Sequence, residues 1–484
     1  MDIVHFVDTT IRDGPQSLWA SRMSTGMILP IVGNLDAAGF QAVEIMTGVQ
    51  LKKAVSELRE DPWDLCRRVA AGMTRTPLRF NAGRVNPFGF EPPEIYQLFV
   101  DSMAANGVKQ ARISEPWNDL PGWTRRLGCA RKAGATAIIN LIYSISPRHT
   151  DDYYAERTRQ AVSLAPDRLC LKDPSGLLTP DRVRTLVPVI LANSADIEVE
   201  FHGHCSTGLG PLSALEAVKQ GIRIVNTGIP PLANSTALPS LFNVAHNLRT
   251  LGYATDINED LLRPVEKHFS IIAKREGLPI GAPAEYDAAQ YQHQVPGGMI
   301  SNLLHQLQQV GQGDRLDEAL EETIRVRAEF GYPIMVTPLS QFVGSQAAIN
   351  MIVGERYREV TDQVIRYALG QHGEEAIELM DHDVRAKILD RPRTREIVAT
   401  DRPLPTLAEV RRELGGPGVA DDELLLRWLL SKEDIAAMRA AKPPRPYITE
   451  RHPIVSLLAA VAERTELGAI EISRPGFSLS LRRS

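Results

Sequence analysis

Cysteine is scarce. Cys66, Cys129, Cys170 and Cys205 are the four in 484 residues, and no two stand in a CxxC spacing. That excludes a disulfide framework and fits a reducing cytoplasm. Long apolar runs are missing as well. No stretch approaches the roughly 20 apolar residues of a membrane-crossing helix, and no signal-peptide pattern precedes the strand-like Ile3–Val7. A basic excess is absent too: the net charge of -5 argues against nucleic acid as the main partner. There is no internal repeat and no low-complexity tract, and no glycine-rich dinucleotide fingerprint follows a candidate strand.

What is present suits a chain with sizeable cores: 43% of residues are hydrophobic and 23% charged, at a length that implies two or three domains. Up to about residue 240, strand-like runs alternate with amphipathic stretches. The strand candidates are Ile3–Asp8, Ala42–Met46, Leu78–Gly83, Gln110–Ser114, Thr136–Tyr143, Arg168–Lys172, Ile197–His202 and Arg223–Thr227. Strand–helix alternation implies a parallel sheet, and this many units imply a closed (β/α)8 TIM barrel over residues 1–255. The alternative is an open doubly wound sheet, which lacks its usual fingerprint here. From 256 to 390 the pattern is helical, with candidates such as Glu259–Glu276, Glu355–Ala368 and Gly373–Leu389. This mainly helical domain is expected to pack on the barrel mouth. Residues 391–448 read as a linker with short helices, and the prolines at 443, 444 and 446 make a further break. Residues 449–484 read as a small tail, an amphipathic helix Ile454–Thr465 followed by a β-hairpin of Ala469–Ser473 and Phe477–Leu481.

One stretch organises the rest, Phe201-His202-Gly203-His204-Cys205. Side chains two apart in a strand share a face, so His202 and His204 point the same way, as two ligands of one metal must. Taken alone, His-x-His is more often two ordinary polar residues at a strand end. The balance shifts because Lys172 ends a candidate strand and Arg12, Asp13 and Thr236 fall after others, where barrel enzymes place their chemistry.

Four motifs, DTTIRDGPQSLWASRM (8–23), LKDPSGLLTP (171–180), FHGHCSTG (201–208) and QVPGGMISNL (294–303), together with GYPIMVTPLSQFVGSQAAINMIVGERY (331–357), resemble the carboxyltransferase component of biotin-dependent carboxylases. That component occurs in pyruvate carboxylase, the oxaloacetate decarboxylase α subunit and transcarboxylase, and the likeness runs over about residues 1–390. It implies that Asp13, a carbamylated Lys172, His202 and His204 hold one divalent metal, zinc, manganese or similar. A plain salt-bridged Lys172 is the alternative. Arg12 either supports this site or forms a salt bridge at the barrel mouth. The likeness further implies transfer of a carboxyl group between carboxybiotin and the enolate of a carbonyl acceptor. Thr236 would shuttle the proton, since a hydroxyl both donates and accepts, and Gln16 would bind the acceptor's carbonyl side.

The departures concern the acceptor. The family's substrate arginine falls on Asn81 in the simplest register, with Arg79 or Arg84 in its place only after a slip, and a family aspartate has become Lys52. Asn81 and Lys52 are thus the substrate-binding candidates, and a short acyl-CoA such as acetyl-CoA is favoured over a 2-oxo acid such as pyruvate. No Ala-Met-Lys-Met biotin-attachment sequence and no ATP-grasp loop occur, so biotin is expected on a separate biotin carboxyl carrier protein, charged by a biotin carboxylase subunit. The tail resembles the N-terminal segment of such a carrier. The expected whole is one subunit of a cytoplasmic multi-subunit complex, itself a homo-oligomer. The competing readings are an oxaloacetate decarboxylase- or pyruvate carboxylase-type subunit, a biotin-independent metal-dependent lyase or aldolase, and a non-catalytic scaffold.

Overall fold

The computed structural model describes residues 2–86, 90–447, 469–474 and 477–482. Eight strands lie in sequence order: β1 (Ile3–Asp8), β2 (Ala42–Met46), β3 (Leu78–Ala82), β4 (Gln110–Ile113), β5 (Thr136–Ile142), β6 (Arg168–Asp173), β7 (Val199–Gly203) and β8 (Ile224–Thr227). Each pairs in parallel with the next, and β1 pairs with both β2 (Val7 opposite Ala42) and β8 (Phe6 opposite Val225), which closes the barrel. A two-residue strand, β9 (Ala254–Thr255), adds to the outer end of β1. The strands fall within a residue or two of the expected ones, because barrel strands are buried on both faces and read as short continuous apolar runs. Side-chain caps start several of the intervening helices: Thr150, Thr179 and Asp61 each accept a backbone N–H of the first turn.

The helical part follows. Its core joins Val326, Phe330, Phe342, Tyr357, Tyr367 and Ile397, and it also takes in Trp117 from the loop after β4. Gln294 fastens this part to the mouth of the barrel. Its amide donates to the Ile145 carbonyl (2.8 Å) and accepts from the Ile145 N–H (3.2 Å), while its backbone oxygen accepts from Ser175 (3.1 Å). Arg148 and Arg157 of the barrel share Glu375 of the helical part. Two expected long helices are shorter. The stretch 355–361 is turn, so the helix starts at Asp362, and 373–389 breaks where the Asp381 carboxylate caps the N–H groups of Asp383 and Val384.

The segment expected to be a linker is mostly built into the body. Pro392–Thr400 is a helix, because a proline in the first helical turn costs no hydrogen bond. The helices Leu407–Leu414, Asp421–Leu429 and Lys432–Ala440 pack on the outside of the barrel, with Leu424, Leu425 and Leu426 buried in its main core. Trp63 donates to the Asp422 carbonyl (3.1 Å), and Arg59 pairs with Asp434 (2.7 Å). Tyr447 closes the strap: its N–H reaches the Gly26 carbonyl (3.2 Å) and its hydroxyl reaches Glu276 (3.1 Å). The tail contributes the antiparallel pair β10 (Ala469–Arg474) and β11 (Phe477–Arg482), with Ile470 opposite Leu481 and Ile472 opposite Leu479. The expected helix 454–465 lies outside the described residues. Among the described residues no helix is long and apolar enough to cross a membrane.

Candidate active site

Alternation along the strands sends every second side chain into the barrel. On β7 this aligns Glu200 and His202, with His204 just beyond, and on β6 it aligns Cys170 and Lys172, with Lys172 directly opposite His202. Asp13 opens the short helix Asp13–Leu18 after β1. Its carboxylate stands 3.8 Å from His202 Nε2 and 3.6 Å from His204 Nε2. One ligand atom from each of the three lies within 4.8 Å of the others, and all three residues are buried.

The hydrogen bonds around the imidazoles suit a metal. His204 Nδ1 is 2.7 Å from the Thr236 carbonyl, an oxygen that only accepts, so this nitrogen carries the proton and Nε2 is left with its lone pair. His202 Nε2 is buried and, among the described residues, has no hydrogen-bond partner. A buried nitrogen lone pair with nothing to accept from costs free energy unless a cation takes it. Two imidazoles and a carboxylate with exposed lone pairs thus fit a divalent ion of the zinc or manganese kind.

The electrostatics agree. Burial disfavours the charged form of both histidines, with Arg112 adding to the effect on His202. Burial opposes ionisation of Asp13, yet Arg12, His204 and Lys172 outweigh it and hold the carboxyl well below its usual range. Lys172 is pushed down to about 7 by burial and by Arg112 and Arg12, so a neutral amine is accessible at ordinary pH. Cys205, next to His204, is buried and its thiol is raised far above its usual range by that burial, which leaves it un-ionised beside the cluster.

A cavity of about 560 Å³ opens above this floor. Arg12, Asp13, Gln16, Asn81, Lys172, His204 and Thr236 all line it, and Pro296, Met299 and Val336 of the helical part form its roof. Thr236 donates its hydroxyl to the Ser17 carbonyl (3.0 Å). Arg12 is fully committed to carboxylates, Glu44 at 2.5 Å and Asp13 at 2.7 Å. Asn81 accepts from the Ser114 hydroxyl (2.9 Å). Lys52 is exposed and does not line the cavity, whereas its neighbour Lys53 does. Of the two arginines considered beside Asn81, Arg79 is sealed inside the barrel against Glu200, while Arg84 lines the cavity.

The conserved carboxylase domain model matches residues 291–439. A pyruvate carboxylase subunit of Methanocaldococcus jannaschii is 35% identical over 374 residues, which cover 77% of this chain and 66% of that protein. The methylmalonyl-CoA carboxyltransferase 5S subunit of Propionibacterium freudenreichii is 31% identical over 373 residues, covering 76% of this chain and 74% of that one. The chain belongs to the pyruvate carboxylase family of biotin-dependent carboxyltransferases. Its fold is that of the carboxyl transferase domain of Rhizobium etli pyruvate carboxylase, solved with pyruvate, at a TM-score of 0.81 and 21% identity, over 91% of this chain and 77% of that one.

An ionic layer beneath the family's site is absent from the sequence-based expectations. Glu44, Arg79, Arg112, Glu200 and Asn226 are all fully buried inside the barrel. Arg79 grips Glu200 with two hydrogen bonds of 2.7 and 2.9 Å, and Arg112 pairs with Glu44 at 2.7 Å. The signal was available: a charge in the middle of an apolar strand, as in Ala42-Val43-Glu44-Ile45-Met46, is costly unless a partner strand carries the opposite sign.

Proposed function

We propose that this chain is the carboxyltransferase subunit of a multi-subunit enzyme, moving a carboxyl group between carboxybiotin on a separate carrier and the enolate of a 2-oxo acid. The carrying observation is the Asp13, His202 and His204 cluster, with Lys172 beside it, at the floor of a cavity into which Gln16, Thr236 and Arg84 all open. Asp13, His202 and His204 would hold the divalent ion. Lys172, adding as neutral amine to carbon dioxide with loss of a proton, would supply a fourth, anionic oxygen ligand. When bound, the ion would polarise the acceptor's carbonyl and steady the enolate charge. Thr236, which lines the cavity, would pass a proton between the acceptor carbon and the biotin nitrogen, and the helical roof would keep water from the enolate.

The acyl-CoA preference expected from Asn81 is not supported. The Methanocaldococcus relative is named for pyruvate, and the cavity holds a cation of the right kind. Arg84 lines it, burial disfavours its charge, and among the described residues it makes no ion pair. The acidic groups nearby are engaged elsewhere: Glu115 with Arg126 (3.3 Å), Glu91 with the Val85 and Asn86 amides (3.1 and 3.0 Å). A desolvated guanidinium without a carboxylate partner is suited to the bidentate capture of an acceptor carboxylate. Residues 449–484 are the proposed docking element for the carrier or the biotin carboxylase.

The test is reconstitution with carrier, biotin carboxylase, ATP and bicarbonate against pyruvate, other 2-oxo acids and acetyl-CoA. A 2-oxo acid should be carboxylated, and Arg84→Leu should raise its KM far more than it lowers kcat. Thr236→Ala should lose roughly 100- to 10,000-fold in turnover, with Thr236→Ser keeping part of it. Carboxylation of acetyl-CoA alone, with Arg84→Leu indistinguishable from wild type, would overturn the acceptor assignment.

A further inference from the structure

We propose that Asn226 selects the ring tautomer of His202 that leaves Nε2 free for a metal, and that Glu200, gripped by Arg79, selects the orientation of Asn226. The inference rests on the metal reading above and assigns it a positioning chain. Asn226 lies on β8 facing the barrel interior, one strand from His202.

Two groups compete for His202 Nδ1. Asn226 Oδ1 is 3.0 Å away and Arg112 Nη1 is 3.2 Å away. They demand opposite things. A guanidinium only donates, so bonding to Arg112 needs a bare Nδ1, and the ring proton then sits on Nε2. That nitrogen is the one aimed at Asp13, and a protonated Nε2 cannot bind a metal. An amide oxygen only accepts, so bonding to Asn226 needs a protonated Nδ1 and leaves the lone pair on Nε2.

The outcome depends on which end of the Asn226 amide meets the ring. Its other end decides. Asn226 Nδ2 lies 3.4 Å from Glu200 Oε2. A carboxylate only accepts, so it takes the NH2 end of the amide and repels the carbonyl end. Glu200 cannot turn away, because both its oxygens are held by Arg79 at 2.7 and 2.9 Å with every atom of the pair out of solvent. Arg112 is in turn drawn to Glu44, at 2.7 and 3.0 Å. Arg79 therefore fixes Glu200, Glu200 fixes the amide, the amide fixes the proton on Nδ1, and Nε2 is left bare. This explains why Nε2 is buried without a hydrogen-bond partner among the described residues. It also gives Arg79, deep in the barrel, a task other than touching substrate. Outer partners of this sort typically change metal affinity 10- to 100-fold.

The experiment reads the tautomer directly. Metal-free protein labelled with [15N]histidine is sedimented, and its ring-nitrogen spectrum is recorded, with His202 assigned by difference against His202→Gln among the 11 histidines. His202 should carry its proton on Nδ1 in the wild type. In Asn226→Leu the proton should move to Nε2, and cobalt(II) affinity should fall by roughly 10- to 100-fold. Should that variant not fold, Asn226→Ser, too short to reach Nδ1, is read in the same way. A wild-type His202 protonated on Nε2, or an unchanged tautomer and cobalt affinity in the variant, overturns the proposal. Wild-type protein that binds neither cobalt nor zinc overturns the metal reading instead, and the tautomer measurement separates the two.

Discussion

At the scale of single residues, burial and pairing decide which groups act and which are spectators. His372 is a spectator with a measurable signature. It is packed between Phe90 and Phe342, with ring centroids 5.0 and 4.7 Å away, and its Nδ1 has no hydrogen-bond partner among the described residues. Burial, with Arg84 and Arg366, depresses it from 6.5 to about 3. The unfolded chain takes up this proton near pH 6.5, whereas the folded one resists it. The stability owed to neutral His372 is therefore complete above about pH 6.5 and is lost as the pH falls toward about 3, by at most about 1.4 kcal/mol per pH unit. His372→Phe keeps a ring in an aromatic pocket and removes the proton. Its urea midpoint should fall less than that of the wild type between pH 7 and 4. His149, depressed to about 3 by its own burial and by Arg327, leaves part of the slope in place. A parallel pair of curves would show that His372 is neutralised by other means. Where a motif singled out residues, as for Asp13, Lys172, His202 and His204, the structure brings them together at the barrel mouth. No motif pointed to Arg84 over Asn81: the proposal for Arg84 rests on its lining the cavity without an ion pair among the described residues, which no spacing rule encodes.

At the scale of elements, the barrel strands and the helix Glu259–Glu276 were legible because each carries its own local pattern. Short helices were expected between residues 391 and 448 as well, but not their packing on the barrel, because what makes the stretch up to Tyr447 part of the body is a set of distant partners: Trp63, Arg59, Gly26 and Glu276. Charge and proline in a stretch predict a linker only when nothing remote claims its leucines. Gly26 shows how close the claim is. A methyl group added there would collide with the Arg445 carbonyl oxygen. Gly26→Ala is expected to force residues 445–447 off the barrel, costing about 1–3 kcal/mol. A lowered melting temperature, with new proteolytic cleavage near Lys442, is the expected result. An unchanged melting curve would mean that the crossing carries no stability.

At the scale of the whole molecule, the body reaches to Tyr447, which is anchored to Gly26 and Glu276. A cut meant to remove only the proposed docking element therefore belongs after Tyr447. That truncation should leave melting behaviour and cobalt binding unchanged, while carrier and biotin carboxylase no longer co-purify and the coupled ATP-dependent reaction fails. Assembly as complete as that of the full chain would rule the tail out as the docking element.

The strap also ties one part of the chain to a part made roughly four hundred residues later. Gly26, Arg59 and Trp63 leave the ribosome early, and their partners at 422–447 leave it late. At roughly 5–20 residues per second, the outer face around Trp63 stands uncovered for about half a minute in every round of synthesis. From the time β8 (Ile224–Thr227) is made and the barrel can close until the strap arrives, that face is an exposed apolar seam, the kind of surface that chaperones hold.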